Sequence, residues 1–312
     1  MKEKKQKKQK TKIRWKRLIP FYIMAFPALL YIFVNNYLPM AGIVVAFKNF
    51  KMKKGIFGSP WCGFKNFKFL FTSPDAWNIT RNTLLYNAVF IVLGTVMAII
   101  VALLLYEIKG KVGKNIFQTC ILIPYLVSIV VIAYVVNAFL NGSNGFVNNT
   151  ILPIFGVKPV SWYMEAGYWP YILTFVYIWK SFGYNSIIYV ATIAGFDPTY
   201  YEAAAVDGAT KWQQIRRITM PMLKPTIITL TLMAIGRIFY SDFGLFYQVT
   251  MNSGALIDKT STIDTYVYRG LMERASVGMS AAAGVYQSVV GFILILAANG
   301  ITRKISKENA LF

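Results

Sequence analysis

The side chains best placed to do chemistry are the ionisable groups that fall inside long apolar stretches: Lys180, Arg237 and Asp242. A charge at bilayer depth is expensive, which makes each a functional candidate by default. Helical spacing gives both cations polar company. Tyr177, Lys180, Ser181 and Tyr184 share one face at i, i+3, i+4 and i+7, and Met233, Arg237, Tyr240 and Ser241 share another. Aromatic rings beside hydrogen-bonding groups suit a sugar, whose C–H face stacks while its hydroxyls pair. If these residues line a path, two midplane cations against one anion point to an acidic sugar such as a uronate. The same residues have a mechanical reading: Lys180, Arg237 and Asp242 as mutually paired struts, with the tyrosines packing helix on helix.

Bond-making chemistry finds little to work with. The chain has no histidine, which removes the commonest general base and metal ligand. Cys62 and Cys120 are too far apart for a metal or redox motif, so no metal site is expected. The acids Asp258, Asp264 and Glu273 are spread over one loop rather than clustered. Gly110-Lys111-Val112-Gly113-Lys114-Asn115 lacks the Gly-Lys-Ser/Thr ending of a phosphate-binding loop and reads as a basic turn. The chain is expected to bind no cofactor of its own.

The elements that must position the charges are membrane helices. Of 312 residues, 56% are hydrophobic and 14% charged, and mean hydropathy is +0.48. An average soluble domain is roughly 25% charged. A spanning helix needs about 20 apolar residues, and six stretches qualify: 18–38, 84–106, 116–140, 170–194, 226–247 and 281–301. Pro27 predicts a kink in the first. That stretch lacks a cleavage pattern and is expected to remain as an anchor. At 1.5 Å per residue, Lys180 and Arg237 lie about 15 and about 17 Å deep, near the midplane of a core about 30 Å thick.

Orientation follows the lysines and arginines. With both termini cytoplasmic, the inside segments carry 20 of the 33 basic residues and the outside ones 11. The first outer loop runs against the trend with Lys48, Lys51, Lys53, Lys54, Lys65, Lys68 and Arg81. The expected organisation is a basic cytoplasmic tail, 1–17, followed by a membrane domain, 18–312. Beside a membrane anchor, the tail reads as a topology determinant on anionic headgroups of membrane lipid; no nucleic acid partner is expected.

One inside loop, 195–225, has internal structure. Asp197 before Pro198 is a helix start, a capping side chain followed by proline at the first helical position. A short helix over 199–206 follows, and Gly208 permits a turn. A second helix from about 209 to 219 puts Trp212, Ile215 and Thr219 on one face. Pro221 and Pro225 are expected to end it and begin the next span. The product is a helix–turn–helix bracket at the membrane surface, suited to docking a soluble partner.

These residues carry a family resemblance. Glu202-Ala203-Ala204, three residues, Gly208, nine residues and Ile218-Thr219-Met220-Pro221 resemble the EAA motif of binding-protein-dependent ABC importer permeases. Met220 stands where that family usually has Leu. Asp207-Gly208-Ala209 and the closing Met220-Pro221-Met222-Leu223-Lys224-Pro225 look like its carbohydrate branch. Trp179-Lys180-Ser181-Phe182-Gly183 and Thr262-Ile263-Asp264-Thr265-Tyr266-Val267-Tyr268-Arg269 resemble the polysaccharide or complex-oligosaccharide subgroup.

The resemblance implies an all-α polytopic membrane protein with about six transmembrane helices, the type I ABC importer permease fold, in a bacterial cell membrane. It implies one half of a sugar or oligosaccharide pathway that works by alternating access. The implied partners are a second homologous permease subunit, two cytoplasmic ATPase subunits that use ATP and Mg, and an extracellular solute-binding lipoprotein. Glu202 would contact an ATPase, Gly208 would make the turn, and Ala203 with Ala204 would give a close-packing surface; Asp207, Ala209 and Pro221 complete the coupling set. The sugar-contacting positions of the family lie on the spans flanking the loop, which bear Tyr177, Lys180, Ser181 and Tyr184, and Arg237, Tyr240, Ser241 and Asp242. The alternatives are an ABC permease for another solute, such as an amino acid or phosphate, and an integral-membrane glycosyl or acyl transferase.

Overall fold

The computed structural model describes residues 15–68, 72–108, 110–273 and 276–305. The first 14 residues of the basic tail lie outside the described residues. The principal helices are α1 (Trp15–Ile32), α2 (Pro74–Glu107), α3 (Lys111–Leu126), α4 (Ile129–Leu140), α5 (Trp169–Ala194), α6 (Thr199–Val206), α7 (Lys211–Ile235), α8 (Ile263–Met272) and α9 (Val277–Ile305). Among the described residues there is no β-strand, only an isolated bridge between Lys48 and Trp61.

Four runs are long and apolar enough to cross a membrane: Ile19–Phe47, Asp75–Glu107, Lys211–Ile235 and Val277–Lys304. A fifth is broken, because α3 and α4 meet at 91°. The expected span 116–140 is therefore two helices. α5 keeps the expected bounds within a residue and has 26 residues, with Lys180, Ser181 and Asn185 along it. Pro20 and Pro27 both lie inside α1, which widens at Phe33–Tyr37 and tightens over Leu38–Phe47.

The last two expected boundaries need correction. Pro221 and Pro225 do not separate two helices, since the helix runs from Lys211 to Ile235 through a wide turn at Ile215–Thr219. The expected span 226–247 stops at Ile235, and the chain turns before becoming helical again at Leu245–Val249.

The α2–α5 pair is the spine. Ala98 and Ala102 are buried where α2 meets Tyr189 and Ile193 of α5, and small residues allow that close approach. Towards the other end, Tyr86 and Phe90 pack with Trp169, Leu173 and Phe246. A third cluster joins Ile79, Phe239, Ile263 and Ala283. In the segment after the first span, Lys48 is buried and donates to the carbonyls of Ile56 (2.9 Å) and Phe57 (3.0 Å). One lysine that runs against the orientation trend is thus a structural strut.

Candidate functional site

The bracket folds as its local chemistry dictates. Asp197 Oδ1 accepts the Thr199 N–H at 3.0 Å, supplying an orphan donor at the start of α6 with a partner. That bond holds the Asp197 carboxyl below its ordinary pKa. α6 ends with Gly208 N–H on Ala205 O (3.1 Å), Ala209 N–H on Ala204 O (2.8 Å) and Gly208 at φ +74°. Those two bonds and the left-handed residue form a Schellman cap, where glycine alone is unstrained. A capping box then starts α7: Thr210 N–H donates to Gln213 Oε1 (2.7 Å), and Gln213 N–H to Thr210 Oγ1 (3.4 Å). The Thr-x-x-Gln spacing announces this start, two residues after the expected beginning at 209.

Contacts to the helix ends hold the bracket in place. Tyr201 rests against Tyr106 with ring centroids 6.3 Å apart, and its hydroxyl lies 3.0 Å from Thr219 Oγ1. Burial raises the Tyr201 pKa. Lys211 pairs with Glu107 at 3.2 Å, although both are exposed, so the pair contributes roughly 0–1 kcal/mol. Glu202, Ala203, Asp207, Gly208 and Pro221 are exposed. Ala204 and Ala209 are half-buried and line a hollow of 380 Å³ with Gln213 and Arg217. Val206 (88% exposed) and Trp212 (70%) stand uncovered.

The charges within the membrane helices occupy unexpected positions. Where α3 ends at the 91° break, its last carbonyls have no intrahelical partner, an arrangement hydrocarbon cannot tolerate. Lys180 Nζ donates to the carbonyls of Pro124 (3.4 Å), Tyr125 (3.0 Å) and Val127 (2.7 Å), as many acceptors as an ammonium has protons. Tyr184 stacks on Tyr125 at 4.1 Å. The approach of α5 to α3 requires glycine at 183, where a Cβ would lie 1.9 Å from the Ile121 carbonyl oxygen. Tyr177 stacks on Phe90 at 3.9 Å, and Ser181 Oγ donates to the Tyr177 carbonyl. Tyr177 and Tyr184 line a cavity of 220 Å³ with Phe90, Thr95, Asn185 and Leu230, between α2, α5 and α7.

Arg237, Tyr240, Ser241 and Asp242 lie in the turn beyond α7, not on a helical face. Gly236 begins the turn, where a Cβ would press on Ile295 of α9. Arg237 is exposed, and its side chain has no partner among the described residues. The Tyr240 hydroxyl lies 3.2 Å from Ser288 Oγ. Ser241 donates to Asp264 Oδ2 from its N–H (2.7 Å) and its hydroxyl (2.6 Å), and Gln287 Nε2 donates to both Asp264 oxygens and to the Phe239 carbonyl. Asp242 Oδ1 accepts the Leu245 N–H at 3.1 Å and starts the next helical turn. Among the described residues the ion pair is Lys211–Glu107, so Lys180, Arg237 and Asp242 are not mutually paired. Asp264 and Gln287, absent from the expected site, organise this turn; a glutamine within an apolar span was the available signal.

Discontinuous spans tied by polar side chains, with an exposed bracket at one end, define a polytopic helical membrane protein of the transport-subunit type. The chain belongs to the family of binding-protein-dependent transport system inner membrane components, which it matches over residues 91–307. It is 33% identical to Protein LplB of Bacillus subtilis (strain 168), over 92% of this chain and 89% of that one. It is 32% identical to the polygalacturonan/rhamnogalacturonan transport system permease protein YteP of the same organism, over 98% and 94%. Its fold matches a chain of the crystal structure of a bacterial ABC transporter involved in the import of the acidic polysaccharide alginate. That match has a TM-score of 0.85 and 33% identity, and covers 93% of this chain and 97% of the other.

Proposed function

We propose that this chain forms half of the translocation pathway of an ATP-driven importer of oligosaccharides, with acidic, uronate-containing ones as its substrate class. The observation that carries the coupling part of this reading is the bracket of 195–225. It is capped at both turns, braced on Tyr106 and Glu107, and leaves Val206 and Trp212 exposed beside Glu202. An exposed apolar pair next to a charge suits a groove on a soluble subunit. Two ATPase subunits, binding ATP and Mg, would close on two such brackets, one here and one on a second, homologous permease subunit.

The substrate class draws on relatives named for polygalacturonan/rhamnogalacturonan transport and for alginate import. Arg237, exposed and unpartnered in the turn after α7, is the cation left to meet a carboxylate, while Tyr177, Tyr184 and Tyr240 offer stacking and hydroxyls. Both termini and the bracket face the cytoplasm. An extracellular binding lipoprotein delivers the sugar to the opposite face; a related alginate transporter is seen in complex with an alginate pentasaccharide-bound periplasmic protein.

The direct test is ATP hydrolysis by the purified complex in lipid nanodiscs. Binding protein loaded with oligogalacturonide should raise the rate several-fold over unloaded binding protein. A rate that ignores the loaded binding protein would refute the reading.

A further inference from the structure

A second cavity, of 330 Å³, opens between the outer ends of α2 and α5 and is lined by Arg81, Asn82, Leu85, Tyr86, Thr174 and Lys259 among others. Its polar inventory is lopsided. Arg81 Nε is buried with no hydrogen-bond partner, a state that costs free energy until an acceptor arrives. Lys259 is exposed at the rim. Among the described residues no carboxylate lines the cavity, and the neighbouring Asp258 side chain is engaged by Asn78 at 3.1 Å.

The rim is built to hold Lys259 there. Asn82 Nδ2 donates to the carbonyls of Asp258 (3.0 Å) and Ser261 (3.1 Å), and the Tyr86 hydroxyl donates to that of Lys259 (3.0 Å). Two cations thus converge on a fixed space with no counter-charge, a setting that calls for an anion with several acceptor oxygens.

The surface below the cavity selects among anions. Leu85, Val89, Val92, Val96, Ile100 and Leu104 are all exposed. Spacings of three and four place them on one stripe of α2, continuous with the cavity wall. At 1.5 Å per residue the stripe runs about 29 Å, one hydrocarbon thickness. The residues that α2 contributes to the cavity under Tyr177, Phe90, Gly94 and Ala98, point to the opposite side of the helix at about 100° per residue. With that cavity on the pathway side, as the proposed function has it, the aliphatic stripe faces lipid.

We propose that Arg81 and Lys259 hold the phosphate of an anionic phospholipid in the outer leaflet, with its acyl chains lying along the stripe from Leu85 to Val96. The Arg81 guanidinium supplies the donors for two phosphate oxygens, and the Lys259 ammonium closes the rim.

The test is thermal unfolding of the delipidated full chain in detergent, titrated separately with phosphatidylglycerol, phosphatidylcholine, inorganic phosphate and trigalacturonate. Phosphatidylglycerol should raise the melting temperature saturably, and the other three should not at the same concentrations. Arg81→Gln combined with Lys259→Gln should raise the half-saturating phosphatidylglycerol concentration at least about tenfold. Lys259→Gln alone changes only an exposed rim residue and so remains informative if the double variant misfolds; a rise of about threefold is expected. Unchanged half-saturation in the variants would overturn the proposal. Protection by trigalacturonate equal to that by phosphatidylglycerol would overturn it too, assigning the cavity to a sugar carboxylate. Because uptake is not measured here, failure of the transport reading would register separately, in the nucleotide-hydrolysis assay.

Discussion

Lys180 Nζ lies 2.7 Å from the carbonyl oxygen of Val127, tying the middle of α5 to the point where the span α3–α4 breaks. A midplane lysine invites a role in ligand binding. Here all three of its protons face main-chain acceptors of a helix end, and the 91° bend exists because something supplies those acceptors with donors.

Lys180→Gln should therefore act on the fold before it acts on any ligand. Hydrogen bonds from a charged donor contribute about 1.5–3 kcal/mol, and the variant should lose a stabilisation of that order. Thermal melts of the purified chain measure it. Uptake of neutral and of uronate-containing oligosaccharides should fall by the same factor. Arg237→Gln, by contrast, should lower uptake of the acidic sugar selectively and leave the melting temperature near that of the parent chain.

Gly183→Ala should be among the most damaging single-methyl changes in the chain. The added Cβ would sit 1.9 Å from Ile121 O, a backbone atom that cannot swing aside, so α5 and α3 must separate. Overpacking of this kind costs about 1–3 kcal/mol. Gly94→Ala is the matched control: its Cβ would meet Tyr177 at an ordinary 3.8 Å, and its melting temperature should barely move.

Gly208→Ala isolates the bracket. Nothing lies within 4 Å of the added methyl, so only φ +74° opposes it, at about 1–2 kcal/mol. The membrane helices should fold normally. Amide exchange across 199–206 should quicken, and capture of the ATPase subunits should weaken several-fold.

Asp197 gives a pH signature with a definite sign. Its carboxyl is held below the ordinary value by the Thr199 N–H, so its capping contribution is complete above the unfolded pKa, about 3.9, and is lost as pH falls through the lower folded value. Amide protection at the start of α6 should be constant between pH 7 and 5 and decline only below about 4. In Asp197→Asn, protection there should show no acid limb.

The parts of this molecule that were legible in sequence are those fixed by neighbours along the chain. Asp197-Pro198 starts α6, Gly208 ends it, and α5 runs as its apolar length requires. The breaks were hidden because their causes are remote. Residues 116–140 read as continuous apolar helix, and the side chain that sustains the break after Leu126 is Lys180 on another helix. The turn at 236–244 likewise depends on Asp264 and Gln287, which reach it from α8 and α9. Pro221 and Pro225 suggested a boundary because proline lacks an N–H. The wide turn at Ile215–Thr219, just before Pro221, instead lets the helix continue.

The central claim is that this chain moves oligosaccharide inward at the expense of ATP hydrolysed by a partner docked on its bracket. The most direct measurement is uptake of labelled oligogalacturonide by cells lacking this chain, complemented with the parent sequence or with a Glu202→Ala, Gly208→Val double variant. The account predicts uptake restored by the parent and reduced at least about tenfold by the variant, with equal amounts of both chains in the membrane. Uptake undiminished in cells lacking the chain, or fully restored by the variant, would contradict it.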